Sequence, residues 1–457
     1  MSEHARVTGP VTGGSKGWVF GGTTVDLVTV GYREDEYFLD GTATRYRPAE
    51  GTKLGFDGRW QVEPAGEAPY KTRIVVLRPV DPAAFNGTVL VCWNNVTAGY
   101  DGFSGDNAEI LQGGYAHVAV TCQKAGAHGF DDAPPQGLTV WDPERYGSIS
   151  IPSDDYSFDI FTQAGRAVGP DRARRPVDPM GGLDVQRLVA YGASQSAGRL
   201  GTYVNAIQPL AHVYDGFLLS LYFGAGSDLE VGDKVLNPLG AGPRPVPRRA
   251  ANLVRDDLDV PVMVVNSELE ATVCEPVRQP DTDRYRLWET AGTSHISRKG
   301  LLGVGAKSVR DLGVERPDIP GINDVSMAPV SEAATHHMQS WVSGGPPPPV
   351  QPRIEFAGDP PEVVRDEHRI ACGGIRLPQV DVPVAHNGAI TDEASGYGFL
   401  AGSHEPFPPE KLRALYPDAA TYLARFEEAT RAAEKAGVVL PRDVDGLIDD
   451  ARAEFPL

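Results

Sequence analysis

The chain has 457 residues, 41% hydrophobic and 23% charged, which is the make-up of an ordinary globular enzyme long enough to bury a core without staples. Its 42 Lys and Arg face 61 Asp and Glu; the net charge of −19 repels polyphosphates and anionic headgroups, which disfavours nucleic-acid and membrane partners. No stretch approaches the roughly 18 apolar residues of a membrane span, and the opening MSEHARVTGPVTGGSKG lacks the apolar run of a secretory signal, so a cytoplasmic protein is expected.

Residues 1–16 read as a loose start. From Gly17 to Pro79 come short β-like runs, VDLVTVGY, EYFLDGTATRY, WQVEP and TRIVVLRP, each bounded by Gly, Pro or Asp, which predicts a β-rich approach to the main sheet. GTVLVCWN (87–94), YAHVAVTC (115–122), LDVQRLVAYG (183–192), DGFLLSL (215–221) and DVPVMVVNS (259–267) are continuous apolar runs of the kind that fill buried parallel strands. The more polar DRYRLWETAG (283–292) reads as an edge strand. Helical patterning falls between them at 156–168, 196–207 and 328–342, and this alternation implies crossovers and a mostly parallel α/β sheet.

Residues 222–258, rich in Gly, Pro and Arg, interrupt the rhythm as an insertion expected to form a lid or pocket wall. GGPPPPVQP (344–352) is a stiff spacer, 353–400 is irregular, and 408–454 is helical. The expected division is a catalytic domain over 17–345 and a C-terminal extension over 346–457 packed on it. Cys92, Cys122, Cys274 and Cys372 form no C-x-x-C pair and read as reduced structural thiols.

The strongest signal is LVAYGASQSAGRLGTYV (188–204), an apolar strand that runs directly into a helix pattern. A sharp strand-to-helix turn strains its apex residue and needs small neighbours two positions to either side. Gly192 and Ser196 supply them, which puts Ser194 at the apex as a candidate nucleophile. The helix beginning at Gln195 offers unpaired N–H groups, and the Gln195 N–H is a candidate oxyanion donor.

A serine hydroxyl needs a base to take its proton, and the base needs an acid to orient it. The strand ending at Ser267 is followed by Glu268 and Glu270, and Glu270 is the favoured acid with Glu268 its rival. His295, in AGTSHI after the next strand, is the base. Asn95, with Asn94 as the alternative, is the candidate for a second oxyanion N–H, because Asn tolerates unusual backbone angles. Trp93, Tyr100, Phe103, Tyr222 and Phe223 flank these positions and predict contacts with an apolar or cyclic group of a small ester. The adjacent His336 and His337 face different ways on a helix and make a poor metal pair. There is no H-E-x-x-H, no Walker-type loop and no paired C-x-x-C, so neither a metal nor a cofactor is expected.

The order Ser194, Glu270, His295 resembles the α/β-hydrolase superfamily. The text around it resembles a less studied branch, the alpha/beta hydrolase domain family, through GYREDEYFLDGTATRY (31–46), FNGTVLVCWNNVTAG (85–99), DPERYGSISIPSDDYSFDIF (142–161) and YGASQSAGRL (191–200). GTSHIS (292–297), RIEF (353–356), GGIRLPQVDVPVA (373–385) and KLRALYPDAATYLARF (411–426) extend the likeness over about residues 20–454. The resemblance implies an α/β-hydrolase fold and a serine hydrolase of carboxylesterase type, with Glu270 where many hydrolases carry Asp. Two other readings use the same scaffold: an acyltransferase with the same three residues, and a binding protein that has lost catalysis. A peptidase is less favoured, for want of a propeller-like repeat.

Overall fold

The structure, a computed structural model, describes residues 5–103, 105–174, 176–237, 251–391 and 398–455. The chain divides into two compact units, Met1–Val262 with Met338–Gly345, and Met263–His337 with Pro346–Leu457. Residues 263–337 group with the C-terminal part, to which their strand ends are tied. The Ala291 N–H donates to the Ile375 carbonyl at 2.9 Å, and Ile375 N–H returns to the Glu289 carbonyl at 2.7 Å.

In the first unit the strands are β1 (Arg6–Thr8), β2 (Tyr32–Pro48), β3 (Val62–Pro79), β4 (Thr88–Trp93), β5 (Ala116–Val120), β6 (Arg187–Ala193) and β7 (Gly216–Ser220). They lie in the order β1-β2-β3-β5-β4-β6-β7. The β1–β2, β2–β3 and β3–β5 pairs are antiparallel. The β4–β5, β4–β6 and β6–β7 pairs are parallel. The six residues of β4 and the five of β7 are buried throughout, as strands covered on both faces should be.

Two expectations near the N-terminus needed correction. VDLVTVGY is no strand: residues 25–31 form turns, Val28 is 87% exposed, and only Tyr32 enters β2. WQVEP and TRIVVLRP are not separate strands either; from Val62 the chain runs as the single strand β3, zipped to β2 from Tyr32↔Pro79 to Pro48↔Val62. The helix Ser157–Val168 is buried along almost its whole length, and its Phe161 stacks on Tyr214 at 4.9 Å. The insertion 222–258 is described only at its flanks; its centre, 238–250, lies outside the described residues, as do 392–397 within the irregular stretch.

The second unit holds the neighbouring strands β8 (Val262–Ser267) and β9 (Tyr285–Thr290), two short pairs, β10 (Phe356–Ala357) with β11 (Glu362–Val363) and β12 (Ala385–Gly388) with β13 (Ser403–Pro406), and a helical C-terminal block. The strand β9 has β8 as its one neighbour, an edge position among the described strands, yet it is buried from Arg286 onward. Its buried Glu289 is matched inside, taking two N–H groups of Arg278 and the Ile354 N–H at 3.0 Å. The helices Pro409–Leu415, Ala419–Lys435 and Val444–Glu454 close around Leu412, Tyr416, Tyr422, Phe426 and Ala451. Among the described residues there is no disulfide, and no helix is long and apolar enough to cross a membrane.

Candidate active site

The strand β6 passes into the helix Gln195–Thr202 through one residue, Ser194, whose φ of 59° and ψ of −119° lie where side chains rarely go. The turn is fixed on both sides. Ser194 N–H donates to the Ser220 carbonyl at 2.9 Å, and its own carbonyl accepts the Gly198 N–H at 3.1 Å. A Cβ on Gly192 would stand 2.8 Å from the Ser196 carbonyl oxygen, so only glycine fits two residues before the apex. Two residues after it, Ser196 folds its hydroxyl back on the turn, accepting the Ala193 N–H and donating to the Ala193 carbonyl, each at 2.9 Å. Serine therefore serves where glycine is more usual. Gly192→Ala should cost about 1–3 kcal/mol by overpacking. It should also slow covalent labelling of Ser194, measured beside urea denaturation; a variant unchanged in both would show a turn looser than this.

Asn94 is ruled out as an oxyanion donor, because its N–H completes the ladder to the Val120 carbonyl at 3.2 Å. Asn95 is placed differently. Its Nδ2 donates to the Ala193 carbonyl at 3.1 Å and its Oδ1 accepts the Thr97 N–H at 2.9 Å, which pins the loop against the elbow. Gln195 heads the helix, where N–H groups lack intrahelical acceptors. Its side chain donates to Gln123 at 2.8 Å, and Gln123 in turn donates to Asp154 at 2.7 Å, on which Arg199 also closes at 3.2 Å. Gln123 and Asp154 escaped the sequence reading, since a buried amide relay has no short-range signature.

The aromatic expectations divide. Trp93 is fully buried, packed on Phe161 at 4.8 Å and Phe158 at 5.6 Å with its indole N–H on Gln123, so it is a core residue and not a substrate contact. Tyr222 is also buried, its ring against Gly201. Phe223 is half-buried. Tyr100 and Phe103 are half-buried too, and both rings lie 5.9 Å from that of Phe20. The described flanks of the insertion are anchored: Ser227 N–H bonds the Gly198 carbonyl at 3.0 Å, and Leu253 N–H the Phe56 carbonyl at 2.7 Å.

In the second unit, Ser267 caps the helix Glu268–Cys274 in a reciprocal capping box with Glu270. Glu270 Oε2 takes the Ser267 N–H at 3.2 Å and the Ser267 hydroxyl, which turns its other oxygen outward to the His295 Nδ1 at 2.6 Å. The carboxylate is wholly buried, and the imidazole is 8% exposed. Glu268 is otherwise engaged. Its Oε1 pairs with Arg365 at 2.6 Å and its Oε2 accepts the Gly292 N–H at 2.7 Å, which makes it a structural anchor. The S-x-x-E pattern at Ser267–Glu270 was the signal that could have separated the two acids. The His295 loop is held by Ile296 N–H on the Leu400 carbonyl at 2.9 Å and by Asn323 on the Gly292 carbonyl at 2.9 Å. His336 and His337 are ring neighbours at 5.9 Å, and His337 Nε2 bonds the Gly437 carbonyl at 2.8 Å. Among the described residues no three metal-ligating side chains converge.

The structure thus brings Glu270 and His295 together in one unit and presents Ser194 at a strained elbow in the other. The family described as alpha/beta hydrolase domain matches residues 7–449. The chain belongs to that family. No curated protein matches this hydrolase. Solved structures similar to it include the esterase Est22, at 11% identity over 69% of this chain and 81% of that one with a TM-score of 0.34. Another is a putative acetyl xylan esterase from Bacteroides fragilis, at 13% identity over 57% and 66% with a TM-score of 0.27. A prolyl endopeptidase is similar at 12% identity with a TM-score of 0.29; the match takes in 57% of the hydrolase and about a third, 35%, of the peptidase.

Proposed function

We propose that this hydrolase cleaves carboxylic esters, lactones among them, with Ser194 as nucleophile, His295 as base and Glu270 as the acid that orients it. The strained conformation of Ser194 at a strand–helix junction carries the reading, because such strain persists only where the surroundings over-determine it and clusters at reacting groups. The buried Glu270–His295 bond supports it: a carboxylate on Nδ1 selects the tautomer with a proton there, which leaves Nε2 to accept one.

In the proposed mechanism Ser194 Oγ forms a bond to the ester carbonyl carbon while its proton passes to His295. The electron pair moves onto the carbonyl oxygen, where the N–H groups of Gln195 and Asn95 receive it. Collapse expels the alcohol, which takes the proton from the imidazolium, and an acyl-serine remains. Water, deprotonated by His295, then attacks the acyl carbon and releases the acid and the free serine. Tyr100, Phe103 and Phe223 are the side chains proposed to meet an apolar or cyclic part of the ester.

A fluorophosphonate probe tests the coupling of serine to imidazole. It should label the wild type on the peptide containing Ser194, and His295→Ala should abolish that labelling while circular dichroism stays unchanged. A folded wild type that is not labelled would defeat the reading and favour a binding protein. Labelling with acyl transfer to added alcohols, in place of hydrolysis, would favour an acyltransferase.

A further inference from the structure

Next to the elbow, within the first unit, one buried carboxylate decides how two side-chain amides are turned. Asp154 and Gln123 are both buried. Asp154 Oδ1 accepts the Lys124 N–H at 2.7 Å, and its Oδ2 accepts Gln123 Nε2 at 2.7 Å and Arg199 Nη2 at 3.2 Å. An ionised carboxylate can only accept, so the NH2 of Gln123 must face it. The Gln123 carbonyl is thereby turned to the Trp93 indole N–H at 3.0 Å and to Gln195 Nε2 at 2.8 Å. That in turn fixes Gln195, whose carbonyl faces the Val96 N–H at 3.5 Å.

The ends of this relay carry the two proposed oxyanion donors. Gln195 follows the nucleophile and opens the helix Gln195–Thr202, and Arg199 stands four residues further along that helix. Residues at this spacing share one helix face. Asp154 therefore holds the helix at two heights, through Gln123 and directly through Arg199. Trp93 ends β4, two residues before Asn95. One carbonyl, that of Gln123, thus ties the strand leading to Asn95 to the helix headed by Gln195.

The polarity leaves no slack. An amide at 154 would have to turn its NH2 on Gln123 and Arg199 or on the Lys124 N–H, and all three are donors. If Gln123 flipped in response, its NH2 would meet the Trp93 and Gln195 donors instead. The neighbouring Asp155, equally buried, has other partners. Its Oδ1 accepts the N–H groups of Val231 at 2.7 Å and Gly232 at 3.1 Å, on the flank of the insertion.

We infer that Asp154 is a positioning residue for the oxyanion hole, aiming the Gln195 N–H through Gln123 and Arg199. An oxyanion donor is effective only when it points to where the charge develops, so a fixed relay behind it bears on the transition state more than on the bound ester. The inference rests on the hydrolase reading above.

Phenylboronic acid, whose adduct with a serine is tetrahedral and anionic, tests it beside p-nitrophenyl butyrate, with active sites counted by a fluorophosphonate probe. Asp154→Asn should raise Ki for the boronic acid about ten- to a hundredfold, less than the loss of a donor outright. The kcat per labelled site should fall by a similar factor, while KM moves less than about threefold. Asp155→Asn is the control: it should melt lower and leave Ki unchanged. A loss of folded protein alone would lower the number of labelled sites without moving Ki. An unmoved Ki in Asp154→Asn, or an equal rise in both variants, overturns the inference and leaves the hydrolase reading standing. Should Asp154→Asn fail to fold, Gln195→Met cuts the relay at its half-buried end and keeps the backbone N–H. It should show the same split, and a Ki equal to that of the wild type overturns the inference. A wild type that neither cleaves the ester nor binds the boronic acid overturns the hydrolase reading and this inference with it.

Discussion

Ser194→Ala is expected to lower kcat by at least about a thousandfold on any ester the wild type turns over, because nucleophile, base and acid act as one unit. Glu270→Gln should cost roughly a thousand- to ten-thousandfold, since an amide no longer offsets the imidazolium charge or selects the productive tautomer. Glu268→Gln is the informative comparison. It changes the same group two residues earlier on the same helix, but its carboxylate holds Arg365 and the Gly292 N–H, not His295. Its loss should appear chiefly as a lower denaturation midpoint, with a much smaller change in kcat. Steady-state kinetics with p-nitrophenyl butyrate, beside circular dichroism on each variant, decides the matter. Equal losses of kcat in the two glutamate variants would remove Glu270 from its assigned role.

Arg73→Met is expected to lower stability by about 3–5 kcal/mol, the usual result of removing one partner from a buried ion pair. Arg73 is 2% exposed and lies between Glu36 at 2.8 Å and Asp101 at 2.9 Å, with the Phe20 carbonyl at 3.0 Å on the same guanidinium. Burial works against its charge, but Tyr146, Glu36 and Asp101 outweigh it and hold its pKa above the ordinary value. Removal leaves the buried Asp101 carboxylate without its cation. Domains are stable by only about 5–15 kcal/mol, so a loss of this size is a large share of the total. The double variant Arg73→Met with Asp101→Asn keeps Glu36 paired with Arg145 at 2.7 Å and should recover much of the loss. Urea midpoints of the two variants test this. A double variant no more stable than the single one would show that Arg73 acts through packing and not charge. The Asp101 loop also holds Asn95, the proposed oxyanion donor: Gly102 N–H donates to the Asn95 carbonyl at 2.7 Å.

Much of the framework was legible because its signals are short-range. The five apolar runs from 87 to 267 each cover an observed strand to within one residue, and the pattern at 328–342 is the observed helix Ala328–Val342. The elbow was legible for the same reason: Gly192, Ser194 and Ser196 lie within five residues, and their sizes alone dictate the turn. The long β2–β3 pairing was not, since its register depends on partners as far apart as Tyr32 and Pro79, and seven residues with strand-like alternation before it settled into turns. Side-chain facing was lost in the same way. A strand buried on both faces gives no alternation to say which side Trp93 takes, and only the helix carrying Phe158 and Phe161 answers that.

By itself the sequence determined the strand–helix alternation, the elbow at Ser194 and the loop that carries His295, because each is written in neighbours along the chain. Which glutamate meets the imidazole, which asparagine keeps its N–H off the ladder, and which aromatics are core were decided only by tertiary structure. Arg365 lies 97 residues from the Glu268 that it claims, and hydrogen-bond capacity is allotted by proximity in space, which no local pattern encodes.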